Sequence, residues 1–96
     1  MNTKIHSIHF DADQKLISFV NEKMDKLVQF NADILSSEVY LRLEKSSTSE
    51  NKLVEIRLNV PGHELFAKRH CRTFEEAIEE TAEALRQQIK KHKDKH

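Results

Sequence analysis

The spacing of apolar positions changes several times along this chain, and each change marks a new element. Residues 3–10 carry Ile5, Ile8 and Phe10 in an extended run whose alternation is broken, which predicts a first strand accommodating a bulge. From Leu16 the spacing becomes helical: Leu16, Phe19, Val20, Met24, Leu27 and Phe30 form one stripe, with Asp11 and Asp13 ahead of it as N-cap candidates. An amphipathic helix over residues 13–31 is expected. Strict alternation returns over 37–45, with Val39, Leu41 and Leu43 on one face and Glu38, Tyr40, Arg42 and Glu44 on the other, the pattern of a half-buried antiparallel strand.

The polar stretch 46–51 predicts a hairpin loop, and residues 52–60 alternate again with Val54, Ile56, Leu58 and Val60 inward. Pro61-Gly62 marks a turn. A fourth strand over 64–71 sets Leu65 and Ala67 against Phe66, Lys68 and His70 on the opposite face. Thr73-Phe74-Glu75-Glu76 has the form of a capping box, and Phe74, Ala77, Ile78, Thr81, Ala82, Leu85 and Ile89 follow as the buried stripe of a second helix. The predicted order is β-α-β-β-β-α, an α+β domain in which two helices cover one face of a four-stranded sheet.

Composition adds limits. A chain of 96 residues, 38% hydrophobic and 33% charged, suits one globular domain over 1–96, with residues from about 92 onward expected to fray. No apolar run approaches the roughly 18 to 20 residues needed to cross a bilayer, and the start lacks the apolar stretch of a signal peptide, so no membrane partner and a cytoplasmic setting are expected. The single cysteine, Cys71, cannot form an internal disulfide.

The net charge is zero, so attraction to nucleic acid has to come from how charge is distributed. Here it is sorted along the chain. Glu75, Glu76, Glu79, Glu80 and Glu83 occupy the first half of the second helix, whereas Arg86, Lys90, Lys91, Lys93 and Lys95 dominate its end. Arg86, Lys90 and Lys93 fall along one side, and such an end can grip phosphates, with binding that weakens as salt rises. The same cations also complement the helix macrodipole, and charge pattern alone does not separate the two readings. Lys15, Lys23 and Lys26 flank the buried stripe of the first helix and would extend a basic surface if the helices lie side by side.

Other chemistry is thin. Six histidines and one cysteine invite a metal, but His6 and His9 point to opposite faces of a strand, as do His70 and Cys71, and no metal-ligand spacing occurs. No metal, cofactor or small-molecule substrate is expected. Phosphate-loop and nucleophile-elbow motifs are absent, so the chain reads as a non-enzyme, and the glutamates of the second helix read as a solvated face. Tyr40 and Phe66 share the sheet face opposite the helices. They pack against each other across strands or offer a surface to a partner, the latter being the alternative reading of the chain as a protein-interaction module without RNA binding.

Taken together, Phe19-Val20-Asn21-Glu22-Lys23-Met24-Asp25-Lys26-Leu27, Ala77-Ile78-Glu79, Leu85-Arg86-Gln87-Gln88 and Lys91-His92-Lys93-Asp94-Lys95 resemble the ribosome hibernation-promoting factor family, which includes the ribosome-associated inhibitor of translation. The resemblance spans essentially the whole chain. It implies a fold similar to double-stranded RNA-binding domains, and docking in the decoding channel of the small ribosomal subunit, where occupancy blocks translation during stress or stationary phase. It also implies contacts to ribosomal RNA from Lys23, Lys26, Arg86, Lys90, Lys91 and Lys93. Two departures stand out. Thr73 and Glu75 replace an Asp and a Tyr that many relatives carry, and the acidic extension of one subtype and the added domain of long forms are missing, so a short form is expected.

Overall fold

A computed structural model describes residues 2–30, 33–45 and 49–94, the side chains of 92–94 excepted. The order is β1 (Asn2–Ile8), α1 (Gln14–Phe30), β2 (Ser36–Leu43), β3 (Lys52–Val60), β4 (His63–Cys71) and α2 (Phe74–Asp94). The strands form one sheet in the order β1-β2-β3-β4. β2 is antiparallel to β3, as its alternation suggests, but parallel to β1, because α1 carries the chain back across the sheet between them.

The broken alternation in β1 has a different cause from the expected bulge. Pairing with β2 is continuous from Asn2 opposite Ser36 to Ile8 opposite Arg42. The strand then ends because His9 adopts φ 69°, in the left-handed region. Phe10 leaves the sheet and stacks on Phe74 at 4.6 Å and 10°, tying the entry of α1 to the start of α2. Ile5 packs against the core as expected, but Ile8 lies on the opposite, helix-free face, in register with Arg42.

The core lies between the sheet and the helices. Val39, Leu41, Val54, Ile56 and Leu58 meet Val20 and Met24 of α1 and Ile78, Leu85 and Ile89 of α2, all fully buried. Buried Ser37 donates to Thr3 Oγ1 at 3.0 Å, and buried Thr81 donates to the Ala77 carbonyl at 2.6 Å, so neither hydroxyl is left without a partner. Gly62 takes φ 73° after Pro61, the pattern of a type II turn joining β3 to β4.

Both helices start on side-chain caps. Asp13 Oδ1 accepts from Leu16 N at 2.8 Å, and Thr73 Oγ1 accepts from Glu76 N at 3.1 Å. Among the described residues the Glu76 carboxylate makes no return bond, so only half of the expected capping box forms. Thr73→Ala is therefore expected to cost about 1 kcal/mol, lowering Tm by about 4–8 °C in a calorimetric scan.

The predicted last residue of α1, Asn31, and the loop positions Ser46 to Thr48 lie outside the described residues. α2 runs to Asp94, and residues 95–96 lie outside the described residues. No helix among the described residues is long and apolar enough to cross a membrane.

Candidate nucleic-acid interface

α1 and α2 pack side by side over the sheet, which brings together cations far apart in sequence. Lys23, Lys26 and Arg86 line one groove of about 450 Å³ whose floor is Leu27, Phe30 and Ala82. The Arg86 guanidinium lies over the Phe30 ring at 5.2 Å, and Lys23 Nζ lies 5.3 Å from the Phe19 ring. Aromatic faces thus hold two of the cations at the groove. Lys15 does not join them; it lines a separate depression with Asp13, Phe19 and Glu75.

The glutamates of α2 are all exposed, as expected of a solvated face, yet two of them also face α1. Glu79 and Glu83 line the same groove. Lys23 Nζ sits 3.6 Å from Glu79, Arg86 Nη1 donates to Glu83 at 3.3 Å, and Lys26 Nζ lies 4.0 Å from Glu22. Every cation of the groove therefore has an acidic neighbour. These pairs reach the surface, and exposed pairs contribute only about 0–1 kcal/mol, so an incoming phosphate can displace a carboxylate at little expense. The Glu83–Arg86 and Glu22–Lys26 pairs were legible as i, i+3 and i, i+4 spacings; Lys23–Glu79 was not, because it crosses between helices.

Lys90 and Lys91 differ from the groove cations. Both are exposed, past Arg86 on α2, and neither has a carboxylate partner among the described residues. Among the described residues no carboxylate offsets the positive charge at this end of the helix. The side chain of Lys93 lies outside the described residues.

The opposite face of the sheet is occupied differently. His6 stacks on Tyr40 at 4.8 Å and 15°, and the Arg57 guanidinium lies 5.9 Å from the Tyr40 ring and 5.7 Å from the Phe66 ring. A ladder thus runs across all four strands, and Tyr40 and Phe66 are bridged by Arg57 instead of packing on each other. The Tyr40 hydroxyl donates to the Glu38 carboxylate; this bond pushes the phenol up from its ordinary value and holds the carboxyl down. For the phenol, whose folded value is raised, the stabilisation is full below about pH 10 and fades as pH rises through the folded value; for the carboxyl it is present above the ordinary carboxylate range and fades on acidification. Tyr40 is the only tyrosine and there is no tryptophan, so ultraviolet absorbance titrates it alone. Its midpoint should lie above that of a free tyrosine and fall back in Glu38→Gln.

Cys71 faces away from His70. Its thiol is buried against α2, donating to Glu80 at 3.3 Å, while His70 Nε2 pairs with Glu44 at 2.7 Å on the other side. Burial first, then the Glu80 bond, pushes the thiol up to about 11. Relative to an ordinary thiol, the thiolate fraction near neutral pH is lower by about a hundredfold, so alkylation should be at least that slow until the chain is unfolded. Among the described residues no group of three or more His, Cys, Asp or Glu side chains is placed to hold a metal ion.

Comparison with known proteins gives this geometry a family. Residues 3–96 match the family described as Sigma 54 modulation protein / S30EA ribosomal protein. A ribosome hibernation promoting factor of Pseudomonas putida is 30% identical over 95 residues, covering 99% of this chain and 89% of that protein. A ribosome hibernation promotion factor of Deinococcus radiodurans is 26% identical over 87 residues, and the matched stretch is 46% of that protein's length. Among solved structures, a ribosomal subunit interface protein from Coxiella burnetii superimposes with a TM-score of 0.87 at 15% identity, covering 98% of this chain and 99% of that one. The N-terminal domain of Thermus thermophilus Protein Y gives 0.81 at 19% identity, covering 96% and 99%. At such identities the structural likeness speaks for the fold, and the sequence matches carry the kinship. With 94 consecutive residues of 96 inside the family match, the chain belongs to the Sigma 54 modulation protein / S30EA ribosomal protein family, that of the ribosome hibernation-promoting factors.

Proposed function

We propose that this chain is a ribosome hibernation factor that acts by occupancy: it lodges in the decoding channel of the small subunit, sets the exposed sides of α1 and α2 against ribosomal RNA, and excludes messenger and transfer RNA. The observation that carries this reading is the exposed basic end of α2 at Lys90 and Lys91, without a carboxylate partner among the described residues, continuing from a groove where Lys23, Lys26 and Arg86 converge. The names of the sequence relatives support the ribosome as partner. Steric exclusion requires a rigid body with a phosphate-binding face and no reacting group, so no cofactor enters the mechanism. Lys93 belongs to this surface by its spacing from Arg86 and Lys90.

In this mechanism the groove cations are held in place by their glutamates until phosphates replace them, while Lys90 and Lys91 engage RNA without giving up a partner among the described residues. The helix-free sheet face plays a lesser part, since Tyr40 already has His6 and Arg57 against it. Sedimentation through sucrose gradients with small subunits tests the reading. Co-migration should fall steeply between low and moderate salt, with a log-log slope set by the number of phosphates contacted. Failure to co-migrate at any salt concentration would refute it.

A further inference from the structure

A second concavity lies away from the helix groove, where β1 ends beside the β2–β3 hairpin. It has a volume of about 720 Å³ and is lined by His9, Arg42, Leu43, Glu44, Lys45 and Asn51. Its acidic member, Glu44, is already engaged by His70 Nε2 at 2.7 Å. Arg42 and Lys45 are exposed and have no carboxylate partner among the described residues. The lining therefore sets a guanidinium and an ammonium, joined by an imidazole, against a single carboxylate, one of whose oxygens is taken by His70. A second feature marks the same place. Among the described residues His9 is the non-glycine residue with positive φ, a conformation that a side chain rarely adopts and that sets the direction in which its side chain leaves the backbone.

From these observations we infer that this concavity is an anion site taking a phosphate of an RNA backbone. The inference rests on the proposed function for its occupant: a body lodged in an RNA-walled channel meets RNA on more than one side, and this site lies away from the helix face. α2 leaves β4 at Cys71 and runs back along it, with Gln88 Nε2 reaching the Phe66 carbonyl at 2.7 Å. Lys90 and Lys91 therefore lie near the opposite end of a molecule 44 Å long. Two phosphate contacts so far apart fix orientation, which a single basic patch leaves free.

The test uses the full chain in two arms. In the first, the Arg42 side-chain Nε–H and His9 ring signals are followed by NMR during titration with a short oligouridylate and, separately, with inorganic phosphate. Saturable shifts of both signals with the oligonucleotide are expected, and the His9 shift, the reporter that remains in Arg42→Ala/Lys45→Ala, should be lost in that variant. No saturable shift, or shifts that persist in the double variant, would overturn the site, and saturation by inorganic phosphate as tight as by the oligonucleotide would overturn RNA as its occupant. In the second arm, the double variant should bind small subunits about tenfold more weakly, with a salt slope reduced by about 2, while Lys68→Ala, a loss of charge elsewhere on the same sheet face, stays within about twofold of the parent. Equal losses in both variants, or none in the double variant, would contradict the inference. An amide spectrum confirms that each variant is folded. If the parent chain does not bind subunits at all, the proposed function fails, and the first arm still decides the site.

Discussion

Reversing charge at the end of α2, as Lys90→Glu/Lys91→Glu, is expected to lower affinity for small ribosomal subunits by on the order of a hundredfold and to flatten the salt dependence by about two phosphate contacts. The size of the effect follows from what surrounds each cation. In the groove, removing Lys26 also frees Glu22, and removing Arg86 frees Glu83, so part of the loss is electrostatic rearrangement on the protein itself. Lys90 and Lys91 have no described carboxylate to release, so their contribution goes to the partner. Stability should fall only modestly, by about 1 kcal/mol, because both side chains are exposed and the reversal acts on the protein only through the macrodipole at the end of α2. Filter binding across a salt series and a thermal scan of the same variant separate the two effects.

Leu85→Ala should do the reverse, damaging the fold without touching the surface chemistry. Leu85 is fully buried where α2 meets the sheet, one residue before Arg86. Truncating a buried leucine leaves a cavity and costs about 2–5 kcal/mol, a large share of the roughly 5–15 kcal/mol that holds a domain of this size together. A Tm lowered by about 10 °C or more is expected in calorimetry. At temperatures where the variant remains folded it should still bind subunits, because the cations are all present. If Leu85→Ala were as stable as the parent, α2 would not be anchored as described.

The elements were legible in the sequence because the core is continuous and the apolar period changes cleanly at each boundary. Val54, Ile56, Leu58 and Val60 show the sheet period without interruption, and β3 spans the residues expected of it. β1 was harder to read. Ile8 is apolar yet faces away from the helices, and the left-handed turn at His9 shifts Phe10 out of the strand, so a change of element looked like a bulge within one. The parallel pairing of β1 with β2 is a property of the crossover, and β2's own alternation carries no trace of it.

The candidate site was legible only as a set of cations. Helical spacing placed Lys15, Lys23 and Lys26 on one flank of the buried stripe of α1, and the structure gathers Lys23 and Lys26, but not Lys15, with Arg86 in one groove. It could not reveal that Glu79 reaches Lys23, since that pair depends on how two helices dock. Nor could it reveal the cation-aromatic ladder on the open sheet face, where strand register sets Arg57 beside Phe66 and within reach of Tyr40. Glu79 looked like solubilising charge because its partner, Lys23, comes from another element.

Competition with messenger RNA for the small subunit tests the central claim most directly. A fluorescent messenger fragment pre-bound to purified small subunits should be released as the chain is added, reaching full release near one chain per subunit, and Lys90→Glu/Lys91→Glu should release little over the same range. Simultaneous binding of the chain and the messenger to one subunit would contradict occupation of the decoding channel.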